Sequence, residues 1–392
     1  MSLPSSSLTS LTLSVSTGSP PNVLTYEHDI PLSDLVMGNN SIMIPDNSSV
    51  INAFNNNPLG TSFSHSLKAS HANGLSVVTT NGAQPFVPYP PPPPPPPTVL
   101  VTSGVTIKYT GPALTSTTIP AFYQANLRGT GMEWFAVVDQ NFKQKISDYA
   151  NTNSGNYAAA VATFTPPGQS SPVIFNNIVT TLMTDMNFMF VYAVSFNTPL
   201  YSWDVSNVTD MGYMFFGASS FNQPLNSWIV SNVTSMSAMF ANASSFNQDI
   251  SNWNVSNVTN MGDMFNSASS FNCPLNNWNV SKVTNMSFMF MGCFLFNQDI
   301  SNWIVSNVTS MYNMFANASS FNQPIGYDSS IGSWNVSKVT NMSYMFYGAS
   351  AFNQNISNWD VANVTDHENF IDEQSLLLSH SDPSYIPNWV SP

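Results

Sequence analysis

Catalysis needs groups that move protons, carry charge or hold a metal, and the second half of this chain is poor in all of them. Between residues 176 and 366 there is no Arg and no His, and Lys282 and Lys338 are the only cations. The acids Asp204, Asp249, Asp263, Asp299 and Asp360 stand singly. Parallel β-helix enzymes that cleave acidic polysaccharides need a cation or metal to hold the substrate carboxylate and a base to take a proton. Neither is supplied here. Cys/His metal spacing, a phosphate-cradling Gly loop and a Ser-His-Asp set are likewise absent from the sequence. The residues therefore read as non-enzymatic, with no cofactor and no metal.

What the region does hold is a period. Tryptophans fall at Trp203, Trp228, Trp253, Trp278, Trp303, Trp334 and Trp359, each 25 residues after the last except for one 31-residue step. That step is the same unit with six extra residues, roughly Gly326 to Ile331. A divergent first copy begins near Ile178, and a last copy decays at His367, Phe370 and Ile371. A fixed period of this size means a repeat architecture in which each unit buries its apolar face against its neighbours.

Within one unit, Trp228-Ile-Val230 alternates as a short half-buried strand does. Met236, Met239, Phe240 and Ala243 stand at i, i+3, i+4 and i+7, which predicts a two-turn helix capped by Thr234 or Ser235. Asn222, Asn247, Asn272, Asn297, Asn322 and Asn353 form a register of identical amides. Stacked amides of this kind satisfy loop donors and acceptors of their own turn and the next coil. The recurrent Asn-Val-Thr sequons follow from the repeat itself. An ice-binding reading of Thr209, Thr234, Thr259, Thr284, Thr309, Thr340 and Thr365 gives way to the simpler one, helix capping.

The rest of the chain frames this region. Only 7% of residues are charged and the net charge is -13, which argues against a nucleic-acid partner, whose phosphates need a basic face. Two cysteines, at a Gln and an Ala position of the repeat, are too few for a disulfide framework. Residues 1–89 read as a low-complexity, poorly folded and largely extended arm, followed by a polyproline spacer at 90–97. No standard signal peptide or membrane span is legible in the chain. Residues 98–175 read as a small α+β domain capping the first unit. It holds a hairpin at Val99–Tyr109, an apolar run at Met132–Val138, and a helix from Asp139 to Ala150 with Asp139 as N-cap. Arg128, Lys143 and Lys145 read as a solvated basic face. The repeats fill 176–371 and a tail follows at 372–392.

The pattern Trp-x-Val-Ser-Asn-Val-Thr-x-Met-x-x-Met-Phe-x-x-Ala-x-x-Phe-Asn-Gln resembles the BspA-like surface-protein repeat, a divergent leucine-rich repeat also known as domain of unknown function 285 and as the mycoplasma lipoprotein-associated repeat. Leu225-x-x-Trp228-x-Val230 then occupies the Leu-x-x-Leu-x-Leu slot. The resemblance implies an α/β leucine-rich-repeat-like solenoid of about eight coils, each with a short parallel strand and a short helix. Such repeats occur in bacterial adhesins and mycoplasmas, and in protists and large DNA viruses. The Asn-rich repeats, proline run and signal-less start look more like a giant-virus or protist product than a bacterial one, which implies a surface or virion-associated protein.

The functional expectation is an adhesion or protein-binding module whose partner is a protein or glycan on a cell or particle surface. The alternatives are a purely structural component of such a surface and, least supported, a polysaccharide-active enzyme. The outward residue between Trp and Val in each coil makes a candidate partner-binding row: Asp204, Ile229, Asn254, Asn279, Ile304, Asn335 and Asp360. Its chemistry varies while the flanking Trp and Val hardly change, so packing leaves it open to a partner.

Overall fold

The computed structural model describes residues 99–112, 114, 119–152, 155–372 and 385–388 with their side chains, and six strands between residues 8 and 85 by backbone pairing. The polyproline run, and the tail apart from residues 372 and 385–388, lie outside the described residues. The chain divides into two units, Met1–Pro95 and Pro96–Pro392.

In the first unit, β1 (Leu8–Thr17), β2 (Leu24–Ile30), β5 (Ser62–His71) and β6 (Ser76–Pro85) form an antiparallel sheet in the order β2-β1-β5-β6. β3 (Val36–Met37) and β4 (Ile42–Met43) make a separate pair. Strand pairing is thus present where the sequence reading placed an arm without regular structure. The signal was the period-two alternation Leu11, Leu13, Val15 among Ser and Thr.

The second unit opens with the expected hairpin, β7 (Leu100–Ser103) and β8 (Thr106–Tyr109), turning at Gly104 with φ 63°. The apolar run becomes β10 (Glu133–Asp139), antiparallel to β9 (Ala121–Ala125) and parallel to β11 (Ile178–Leu182), the first segment of the repeats. Phe135, Ala136, Val137 and Val138 are all buried because this central strand is covered on both faces. Asp139 accepts a hydrogen bond from Asn141 N at 3.0 Å and caps a 3-10 turn, Gln140–Phe142, that runs into α1 (Lys143–Ala150). A second helix, α2 (Tyr157–Thr163), was not foreseen. Two of the three basic residues are ties to the repeats, while Lys145 is exposed and lies over the Phe142 ring. Arg128 pairs with Glu133 and donates to Asn177 Oδ1 and Asn176 O, and Lys143 reaches Asp185 at 3.1 Å.

Residues 175–371 are a repeat protein: successive units bury equivalent residues and bond to one another at a constant offset. Phe215, Phe240, Phe265, Phe290, Phe315 and Phe346 stack with centroids 5.5–5.8 Å apart. One apolar core runs from Ala136 of the capping region to Phe370 of the last unit. Each fully buried Met, Phe or Val contributes about 1.5–3 kcal/mol.

Two local expectations are corrected. The Met-x-x-Met-Phe segment is a run of tight turns with no helix. Its N–H groups alternate between a bond inside the turn, such as Met239 N to Met236 O, and a bond to the next unit, such as Ala238 N to Gly262 O and Phe240 N to Met264 O. A two-turn helix would close its bonds on itself and stay marginal. The turn run spends half of its donors on the neighbouring unit. It does so by placing every fourth residue at positive φ, as at Ala238 (52°) and Asn242 (58°). The apolar spacing is the same for both conformations, so periodicity did not separate them.

The second correction concerns strand pairing. Trp-x-Val shows the expected in-out-in burial at Trp228, Ile229 and Val230 but is not a paired strand. A ladder of parallel bridges lies instead at Asp185, Asp210, Ser235, Asn260, Asn285, Ser310, Asn341 and Asp366, with one more between Phe346 and Ile371 at the last unit. Correspondingly, the threonines are not helix caps: Thr234 N and Oγ1 both donate to Thr209 O, at 2.8 and 3.1 Å.

Both ends of the stack are closed. Gln140 accepts from Thr184 N and Asp185 N through Oε1 and donates to Asp185 O through Nε2, so one amide satisfies the open edge of the first unit. At the other end Ile356 N donates to Tyr385 O and Ile386 packs on the core.

Candidate functional site

The candidate row is positioned by its neighbours in each unit. Every Trp is buried and its indole Nε1 donates to a carbonyl of the preceding unit: Trp228 to Leu200, Trp253 to Leu225, Trp278 to Ile250 and Trp303 to Leu275, at 3.0–3.1 Å. Trp203 uses Phe175 O in the same way, which makes Phe175 the apolar residue of a unit otherwise replaced by the cap. Val two positions later is buried too, so the residue between them points away from the core.

The row is not uniform. Ile229 is 51% exposed, and Asn254, Asn279 and Asp360 are exposed, while Ile304 and Asn335 are half-buried. Asp204 departs from the expectation: it is buried, because β8 lies over this unit through Ile107 N to Ser202 O at 2.9 Å. Lys108 Nζ stands 3.7 Å from Asp204 Oδ1, and Asp204 Oδ2 is buried without a partner. The polar members also have local work. Asn254, Asn279 and Asn335 accept from the backbone N of Ser256, Ser281 and Ser337, and Asp360 does so from Ala362, at 3.1–3.2 Å. Such Asx turns favour Asn and Asp on their own account. Packing leaves these positions open, as expected, but the turn does not. Ile229 and Ile304 are the members that no turn bond explains.

Asn279 and Ile304 line one open groove of about 580 Å³ together with Asn276, Asn277, Trp278 and Asn302. The hairpin β7–β8 covers the row before it at Asp204. After it, the six-residue insertion folds back on itself, with Gly332 N donating to Asp328 O at 2.7 Å. The remaining side chains offer little reactivity. Burial, and then the nearby Asp249 charge, push the Cys273 thiol up to about 11, and full burial raises Cys293 further. Both cysteines are free; Cys273 Sγ donates to Asn247 Oδ1 and Cys293 Sγ to Phe265 O. Among the described residues no group of three His, Cys, Asp or Glu side chains is placed to hold a metal, and no helix is long and apolar enough to cross a membrane.

The sequence of these stacked units matches the family model described as "Mycoplasma protein of unknown function, DUF285" over residues 168–274, 247–330 and 270–381. The chain belongs to this family. No match was found among curated proteins or among solved structures.

Two features of this DUF285 chain escaped sequence reasoning. Asp185 and Asp210, one period apart, are brought side by side: Asn187 Nδ2 reaches Asp210 Oδ2 at 3.4 Å, and Lys143 holds both Asp185 and Asn187. The 25-residue offset was their signal. Aromatic residues also gather on the turn-run side, where Phe188 stacks on Tyr213 at 4.7 Å and Tyr192 meets Phe216 edge-on at 5.3 Å. Read as helix positions, these residues had no common face to suggest.

Proposed function

We propose that this DUF285 chain is a non-enzymatic binding module, its repeats forming a leucine-rich-repeat-like solenoid that holds a protein or glycan partner at a cell or particle surface. The observation that carries the reading is the groove at Asn279 and Ile304, which with exposed Ile229 gives apolar anchors among amides. Interfaces concentrate their energy in a few such anchors surrounded by polar contacts. The raised thiols and the dispersed carboxylates support a surface that binds without transforming. Asp204, covered by β8, is no part of the binding face, which runs from Ile229 to Ile304.

The test is a pair of substitutions, Ile229→Asp with Ile304→Asp, on the full chain. Circular dichroism and the thermal midpoint should be unchanged, because neither side chain is in the core. Capture of a partner from host surface extract should fall at least about tenfold, and a photo-crosslinking residue at Asn279 should mark the same partner. Unchanged capture by a folded double variant rules the row out.

A further inference from the structure

The turn run forces two residues per unit into the left-handed region. One is the second residue after the first Met, with φ of 57° at Phe188 and Tyr213, 59° at Phe288 and 58° at Tyr344. The other is the sixth, where Asn242 and Asn317 (58° each), Gly217, Gly292 and Gly348 are the natural occupants, Ser267 (58°) is a small substitute and Tyr192 (54°) is the one bulky side chain. A bulky side chain there costs about 1–2 kcal/mol that Gly or Asn largely avoids. Burial does not offset it, since Tyr192 is 63% and Phe188 49% exposed. Neither backbone preference nor packing therefore selects the aromatics. The left-handed backbone belongs to every unit, so what sets the first units apart is the bulky, exposed aromatic side chain carried on it.

The first two units concentrate the effect. Phe188, Tyr192, Tyr213 and Phe216 form one cluster. Tyr192 packs closely against Gly217, for a Cβ on that glycine would come within 2.6 Å of the ring, while the side chain as a whole stays exposed. Asp185 and Asp210 stand three residues before Phe188 and Tyr213, and Lys143 beside them is already paired.

We propose that this cluster is a binding platform for neutral carbohydrate, separate from the Trp-side row. Ring faces suit the C–H faces of a sugar, and the adjoining carboxylates and amides suit its hydroxyl groups. Charge disfavours anionic glycans, because the cation that the described residues place beside the rings, Lys143, is already paired and the chain carries -13. Size disfavours a protein: four side chains on two units fall well short of the roughly 800 Å² per partner of a stable protein interface.

Affinity electrophoresis of the full chain through gels containing laminarin or mannan, with heparin as the anionic control, tests this. The neutral polymers should retard the protein and heparin should not. Phe188→Asn with Tyr192→Asn places at both positions a residue that other units use there, so the thermal midpoint should hold or rise while retardation weakens at least about tenfold. Thr259→Val, which touches neither the rings nor the row, should leave retardation intact. No retardation by either neutral polymer, equal retardation of the double variant, or a ring-dependent self-association in sedimentation with no sugar effect would each overturn the proposal. So would a fall in the midpoint, which would make the rings structural.

Discussion

The two sides of each repeat are held together by different chemistry. On the Met/Phe side, backbone joins backbone: alternate N–H groups of the turn run donate to carbonyls of the next unit, whatever side chains they carry. On the Trp side, side chains do the joining. Indoles reach carbonyls of the preceding unit, Asn232 and Asn257 donate to Ser206 O and Ser231 O, and the amide register passes Asn Oδ1 to the next Asn N and Gln Nε2. Sequence is therefore tightly prescribed on one side and loosely on the other. The free positions on the backbone-joined side are where Phe, Tyr, Ala, Asp and Asn alternate at one φ.

That contrast can be broken by substitution. Trp278→Ala should have the largest effect, about 3–5 kcal/mol in urea unfolding, since it removes a large buried side chain and one of the two hydrogen bonds that Ile250 O accepts. Trp359→Ala should cost less, as its unit is covered on the far side only by the decayed last copy and the tail. Equal losses at the two sites would mean that the units do not stabilise one another. Asn272→Ala comes next, at about 1–2 kcal/mol, because one oxygen accepts from both Asn297 N and Gln298 Nε2. Asn272→Asp keeps the acceptor and should recover most of the loss. Smallest is Thr259→Val, below about 0.5 kcal/mol, for the exposed hydroxyl only doubles a bond that Thr259 N already makes to Thr234 O. A cost near 1 kcal/mol would mean that the hydroxyl contributes as a hydrogen bond between units in its own right.

Much of the architecture was legible because it rests on spacing. The period, the inward Trp, Val, Met and Phe, the amide register, the β7–β8 hairpin and α1 with Asp139 capping the turn before it all follow from residue type and offset. What was hidden depends on dihedral angle or on distant chain. Met236, Met239 and Phe240 face inward equally well from a helix or from turns, and only Gly217, Asn242, Gly292, Asn317 and Gly348 at one offset hinted at the left-handed alternative. Asp204 looked equivalent to its row until a hairpin from a hundred residues upstream covered it. Asn254 and Asn279 looked free because an Asx turn leaves no mark in a hydrophobic pattern.

The lengthened unit carries a consequence of a different kind. Across the 31-residue step, Thr340 N still meets Thr309 O, Trp334 Nε1 still meets Ile300 O, and Asn353 N still meets Asn322 Oδ1. The extra residues are accommodated between Ile325 and Trp334, with Tyr327 still bonded to Asn358 of the next unit, and the chain returns to the same register. Every junction is thus a meeting of like with like, indifferent to how much chain intervenes at that loop. Whole copies can be gained or lost by recombination without any junction being redesigned, and new sequence can enter at the loop without cost to the neighbours. The number of units and the content of that loop are heritable variables that selection can alter separately.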